Sequence, residues 1–460
     1  MSERHAGSPP PLQDAEPAAP PGDGRLQLGF LDHVNLVFLT YVANAALTFG
    51  VAVLVARALG PEGRGVYALF LLSASITQAV LSLGLGVAAI YYLGKRTYTL
   101  SRIVANSQQV MLASVFVSGL LVLLAWPVLG GPLADRDVPY WAFAFAVPLF
   151  LNYNVLTAVL QGSSRFLAMN AVIIVQPLVL LALLAAGAAL GDIDTAAAVL
   201  FWCGATLVAT VLALALLGAP ALRELLRVDW ASMREQVSFG MQGQVGNLIQ
   251  LLNYRLDQFF VLLFVSTAGV GIYAVAVTMS QSVWFVANAV AAVLLPRLTA
   301  AEAGDAARTT PLVCRNTLLV SALGAVGLGA VSPWLVEALF GADFGDALAP
   351  LLWLLPGTVA LAGSKILASY IFSQGRPLVN SAITAVALVV TLVADVVLIP
   401  AFDVTGAAAA SSLAYGVHFA LSLWAYRSLS GGSIVDAVLV RGDDLRRYVD
   451  VARRLAPARP

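Results

Sequence analysis

The chain is poor in the residues that soluble chemistry uses. Two cysteines, Cys203 and Cys314, and three histidines, His5, His33 and His418, are all that 460 residues contain. None stands at paired ligand spacing, so zinc, haem and disulfide frameworks find no donor set and no cofactor is expected. Both cysteines fall in apolar stretches, where a free thiol behaves as a small hydrophobe. Charge is scarce as well: 11% of residues are charged and 60% apolar, where a water-soluble domain carries about 25% charged. Net charge is zero, so no basic excess recruits nucleic acid. Glycines cluster at Gly84 and Gly86 and at Gly324, Gly327 and Gly329, but no strand precedes them and no lysine follows. Close helix packing explains them better than a nucleotide loop does. No catalytic dyad accompanies them, and an enzyme is not expected.

What is abundant is long, uncharged apolar sequence. A bilayer core of roughly 30 Å takes about 20 apolar residues per helix. On that criterion the pattern predicts an all-α polytopic membrane protein of about twelve transmembrane helices. They fall at 35–58, 66–93, 105–130, 139–162, 167–190, 194–217, 238–265, 270–295, 313–338, 347–373, 378–400 and 404–427. Residues 1–30, rich in proline, glycine and acidic groups, read as a disordered cytoplasmic tail. A six-helix bundle over 31–217 and a second over 238–427 are joined by a charged cytoplasmic connector, 218–237. The segment 428–460 carries Leu445, Tyr448, Val449, Ala452 and Leu455 at helical spacing, which suits either an interfacial amphipathic helix or a solvated one.

The cations set the orientation. With the N-terminus inside, twenty of the 25 lysines and arginines fall in cytoplasmic segments. Arg57, Arg64 and Arg136 fall outside, and Arg255 and Lys365 lie within apolar spans. The positive-inside rule then places both termini on the cytoplasmic side of what is read as a bacterial cell (inner or plasma) membrane. The two halves also echo one another: Gly65-Val66-Tyr67-Ala68 returns as Gly271-Ile272-Tyr273-Ala274, 206 residues later. Six helices per half is an even number, so the halves share an orientation and form a parallel repeat, with substrate expected between them.

A charge near mid-membrane costs between roughly 3 and 10 kcal/mol, so its retention signals a cavity or a partner. Four residues qualify: Arg255, Asp257, Lys365 and Asp395. Asn247, Gln250, Tyr254 and Asp257 fall on one helical face, with Asn253 and Arg255 beside it. Arg255 and Lys365 would hold an anionic group such as a pyrophosphate, the first as a fork of donors and the second as a point charge. Asp257 and Asp395 are candidates for ion coupling. The structural alternative pairs Arg255 and Asp257 with Asp395 or with each other. Asn154 and Gln78, with Asn35, Asn44, Asn152, Gln161 and Gln176, would line the first half of a cavity or bond across helices.

Several of these stretches resemble one family. They are Ala58-Leu59-Gly60-Pro61 leading to Gly65-Val66-Tyr67, then Leu252-Asn253-Tyr254-Arg255-Leu256-Asp257 and Gly271-Ile272-Tyr273-Ala274. The second half adds Phe340-Gly341-Ala342-Asp343-Phe344, Gln374-Gly375-Arg376 with Asn380, and Ile399-Pro400 before Gly406-Ala407-Ala408. In order and spacing these are similar to the polysaccharide exporters, the lipid-linked oligosaccharide (O-antigen, Wzx-type) flippases of the MOP (multidrug/oligosaccharidyl-lipid/polysaccharide) exporter superfamily. The resemblance implies a two-bundle, alternating-access fold whose cationic cavity passes a polyprenyl-pyrophosphate-linked glycan from the cytoplasmic to the outer leaflet during cell-surface polysaccharide synthesis. Asp395 departs from it, since such sequences more usually carry a neutral amide before the Ile-Pro break. Its implied partners are the glycan, membrane lipid and other polysaccharide-assembly membrane proteins, around a monomer. The alternative within the superfamily is a proton- or sodium-coupled multidrug or cation antiporter, which predicts an acidic cavity.

Overall fold

The computed structural model describes residues 30–134, 140–191, 193–219, 229–301, 303–441 and 444. The N-terminal tail and nearly all of 442–460 lie outside these residues, as does the middle of the 218–237 connector. Every regular element described is helical: α1 (Phe30–Leu81), α2 (Leu85–Gly94), α3 (Leu100–Ala134), α4 (Tyr140–Gly162), α5 (Phe166–Leu190), α6 (Thr195–Leu217), α7 (Trp230–Arg255), α8 (Asp257–Phe264), α9 (Thr267–Gln281), α10 (Trp284–Ala300), α11 (Ala303–Phe340), α12 (Leu348–Ser373), α13 (Pro377–Ser430) and α14 (Ile434–Val438). Among the described residues, eight helices are long and apolar enough to cross a membrane, or nine if the bent pair α9 and α10 is one span. The chain is therefore an all-α polytopic membrane protein. Phe116, Leu123, Val326 and Trp334 project outward, as lipid-facing side chains do.

The helices are interrupted where the sequence cannot continue them. Within α1, Gly60 adopts φ 64°, ψ −177° ahead of Pro61, a conformation open to glycine and followed by a residue with no amide proton. Within α13 the break falls at Asp403, φ 52°, shortly after Pro400. There Gly406 lies so close to the preceding helix that a Cβ would come within 2.1 Å of the Leu398 carbonyl oxygen. The stretch expected as one span over 238–265 divides between α7 and α8, and that over 270–295 bends by 48° between α9 and α10. Side chains start several helices: Asp194 accepts from the Ala197 amide at 2.7 Å and Ser266 from the Gly269 amide at 3.0 Å.

Packing follows membrane rules, in which small residues let backbones approach and hydrogen bonds join helices. One apolar core gathers Leu85, Leu151, Leu156, Val172 and Ala209 from α2, α4, α5 and α6. Another gathers Leu294, Cys314, Ile366, Tyr370 and Tyr426 from α10 to α13. A third crosses between the halves, setting Ala56, Ala68 and Leu69 of α1 against Tyr273, Phe340 and Phe344. The helix α7 joins both sides. Its Gly240 meets Gly84, where a Cβ on either would sit 2.2–2.3 Å from the other's carbonyl oxygen. Gln244 donates to the Ala79 carbonyl at 2.7 Å, and Asn253 accepts from Thr391 of α13 at 3.1 Å.

Candidate functional site

Where α1, α5, α6, α7, α8 and α9 converge they leave a cavity of about 290 Å³. Among the described residues its charged lining is Arg64 and Arg255, and its polar lining includes Thr48, Tyr67, Ser75, Gln176, Gln258, Thr278 and Gln281. The break between α7 and α8 presents Arg255 here, at the last turn of α7. Arg64 reaches the cavity because α1 resumes after Gly60 and carries it inward. It is 8% exposed, its guanidinium lies 5.8 Å from the Tyr67 ring centroid, and its Nε has no partner. Counting cations had placed Arg64 in an outer loop. The helix instead buries it, because Gly60 turns the chain before Arg64 and the charge becomes part of a span.

A second space of about 1000 Å³ adjoins the first, with Thr48, Thr278 and Gln281 lining both. Tyr41, Val42, Ala45 and Phe49 of α1 form one wall, and Phe285, Ala289, Ala292 and Leu295 of α10 face them. Among the described residues no charged side chain lines it; Asn44, Ser164, Asn288 and Ser369, with the shared Thr48, Thr278 and Gln281, supply its polarity. The pair thus presents a small cationic chamber beside a large, mostly apolar one.

Asp257 turns the other way. Two residues beyond Arg255 on a helical path, it is rotated by about 200° and buried. Its carboxylate accepts from the hydroxyls of Tyr273 and Ser411, the latter at 3.0 Å, and from the Gln258 amide at 2.8 Å. Asp395 of α13 is wholly buried close enough for its charge to act on Asp257, and neither of its carboxyl oxygens has a partner. Among the described residues no ion pair joins Arg255 to either aspartate, although its charge acts on Asp257 from nearby.

The remaining candidates are dispersed. Lys365 lines neither cavity; its ammonium lies 5.1 Å from the Trp284 ring and 5.8 Å from that of Tyr254, within an aromatic cluster that includes Tyr415. Gln250 donates to the Tyr254 hydroxyl at 3.3 Å, while Gln250 and Asn247 are exposed on α7 outside both cavities. Asn154 bonds back to the Phe150 carbonyl, and Gln78 is half-buried away from either space. Of the weaker candidates, Gln176 and Asn44 line the two cavities, and Asn152 pairs with Gln108. Gln161 is exposed, and the Asn35 side chain lies outside the described residues. No group of three or more histidine, cysteine or acidic side chains that could hold a metal occurs among the described residues.

Breaks in the helices, an interior cavity between two sets of helices and buried charges mark a polytopic membrane protein built around an internal site. Residues 30–302 match the family described as polysaccharide biosynthesis protein. The chain belongs to that family. A comparison with curated proteins found no match. Among solved structures, an inward-facing multidrug resistance MATE family transporter of the MOP superfamily aligns with TM-score 0.68 at 11% identity, covering 86% of this chain and 98% of that one. The lipid II flippase MurJ in an inward closed conformation aligns with TM-score 0.64 at 10% identity, covering 93% of each chain. An outward-facing MATE transporter aligns with TM-score 0.62 at 11% identity, covering 87% and 96%. At these identities the likeness concerns the fold.

Proposed function

We propose that the protein is a flippase that moves a polyprenyl-pyrophosphate-linked oligosaccharide from the cytoplasmic to the outer leaflet by alternating access. One observation carries this reading: a chamber whose charged lining is two arginines adjoins an uncharged, mostly apolar chamber of about 1000 Å³. That pairing suits an amphiphile with a diphosphate between sugar and hydrocarbon, the arginines forking onto phosphate oxygens while the chain stays in apolar surroundings. The family's description, polysaccharide biosynthesis protein, supports the same substrate class.

Read with each break as a turn, the helices number twelve. α1 and α13 each supply two spans, α2 extends the second, and α7 with α8 and α9 with α10 supply one apiece. Both termini are then cytoplasmic, and the two six-helix halves, 31–217 and 238–427, work as one monomer. The large apolar chamber opens on the cytoplasmic side.

A second reading, a proton- or sodium-coupled multidrug antiporter, draws its support from the solved structures, where the TM-score with a MATE transporter exceeds that with the lipid II flippase. The buried Asp257 and Asp395 suit ion coupling under either reading. What counts against a cationic substrate is that, among the described residues, no carboxylate lines either chamber. The deciding experiment depletes the protein in its native host and labels lipid-linked oligosaccharides by leaflet. Accumulation on the cytoplasmic leaflet supports the flippase; unchanged lipid-linked glycans with altered sensitivity to cationic drugs would establish the antiporter instead.

A further inference from the structure

At one end α1 and α9 hold the two halves together; at the other α7 still packs on α2, but a space lies between α1 and α10. At the joined end the two copies of the internal repeat meet each other. A Cβ on Gly65 would lie 1.9 Å from the Thr267 carbonyl oxygen and 3.1 Å from the Gly271 nitrogen. A Cβ on Gly271 would lie 1.9 Å from the Pro61 carbonyl oxygen and 3.0 Å from the Gly65 nitrogen. Pro61 precedes Gly65 by the same four residues by which Thr267 precedes Gly271, so the contact is reciprocal and a local two-fold axis passes between the glycines. Beside it, Arg57 of α1 donates to the carbonyls of Ala338 and Leu339 at the end of α11, the latter at 2.7 Å, and the Phe49 ring meets Phe340 edge-on at 6.0 Å. At the other end the space of about 1000 Å³ holds α1 apart from α10.

We propose that the Gly65–Gly271 crossing is the gate at the joined end, with Arg57 as its latch. At the crossing itself backbone meets backbone, so no side chain has to withdraw from between the two helices, while the flanking contact of Phe49 with Phe340 slides as it parts. The latch bonds carbonyls in the last turn of a helix, which lack helical partners and can take water once released. Because repeat-related residues meet there, the halves swing about a single axis, and the central chamber gains an exit when they do. The proposal rests on the reading of the chain as an alternating-access transporter and holds for a glycan or a drug.

The test uses full-length protein carrying Cys203→Ser and Cys314→Ala, with Ser75→Cys as a reporter in the small chamber, in vesicles of known orientation. A membrane-impermeant thiol reagent is applied to the face at the Gly65 end. An added methyl group cannot fit the closed seam, so Gly65→Ala or Gly271→Ala should shift the balance toward the open gate by about 5- to 150-fold and speed labelling in proportion. Unchanged labelling in a normally abundant variant overturns the gate. Should neither alanine variant accumulate, Arg57→Cys with Leu339→Cys, bridged by a short reducible bis-thiosulfonate, tests the same seam. Bridging should abolish labelling from that face and reduction restore it; labelling that persists through the bridge overturns the proposal. The labelling needs no substrate, so a working gate in a protein that moves no glycan would refute the flippase reading alone.

Discussion

Arg64 offers the sharpest test because its loss should move binding and stability in opposite directions. Arg64→Gln keeps much of the side-chain volume and removes the cation. If Arg64 grips a phosphate, the substitution forfeits a hydrogen bond to a charged group, about 1.5–3 kcal/mol, or about 10- to 150-fold in affinity. In the empty protein the balance differs. The guanidinium is 8% exposed, shares the chamber with Arg255 and leaves Nε unpartnered, and an unmet buried donor costs about 1–3 kcal/mol. The opposing term is the contact with Tyr67 at 5.8 Å, which contributes about 0.5–2 kcal/mol. The penalty outweighs the contact once repulsion from Arg255 is added, so Arg64→Gln should melt higher than wild type. The assay is binding of a short-chain polyprenyl pyrophosphate to nanodisc-embedded protein beside thermal unfolding without ligand. A variant that melts lower yet binds the pyrophosphate as tightly would show Arg64 to be a structural residue and refute the reasoning.

Four further outcomes follow from the same geometry. Arg255→Ala should reduce pyrophosphate binding far more than Lys365→Met, whose side chain can still fill the aromatic box; equal losses in a binding titration would return Lys365 to the chamber. Asp395→Asn should raise thermal stability, since a carboxylate buried without a partner is costly, and should flatten the dependence of transport on pH or sodium; an unaltered dependence removes Asp395 from coupling. Gly240→Ala should destabilise the protein by about 1–3 kcal/mol through its clash with Gly84, and an unshifted unfolding transition would contradict that packing. Tyr98, in the turn between α2 and α3, is pushed up to about 12 by burial and by its hydrogen bond to Glu235. Its folded value exceeds the unfolded one, so its stabilisation is complete below about pH 10 and is lost as pH rises toward 12. Tyr98→Phe should remove that alkaline component from a pH series of melting temperatures, and an unchanged series would contradict it.

Much of the architecture was legible because membranes impose a length on apolar runs and because glycine and proline mark where helices turn. Gly60-Pro61 and Pro400 both stand at observed breaks. The extent of individual spans was less legible. The division at Arg255–Asp257 leaves no glycine or proline signal, and an apolar count reads across it. Arg255 could be singled out because an arginine inside an apolar run is conspicuous on its own. Arg64 could not, since Gly-Pro-Glu-Gly-Arg looks like a loop until the resumed helix is seen to carry its last residue inward. Lys365 needed a partner, but the partners are rings on α7 and α10, and cation–π contact between distant segments has no spacing signature. The mutual influence of Asp257 and Asp395 is hidden for the same reason, acting between residues 138 positions apart.

The most direct test of the central claim is reconstitution. Purified protein in liposomes, with a lipid-linked oligosaccharide in both leaflets, is challenged with a membrane-impermeant glycan-cleaving enzyme. The flippase reading predicts that nearly all of the glycan becomes accessible with wild-type protein, and only the outer-leaflet share with Arg64→Gln combined with Arg255→Ala. Accessibility confined to the outer leaflet with active wild-type protein, alongside proton- or sodium-driven uptake of a cationic drug, would contradict it.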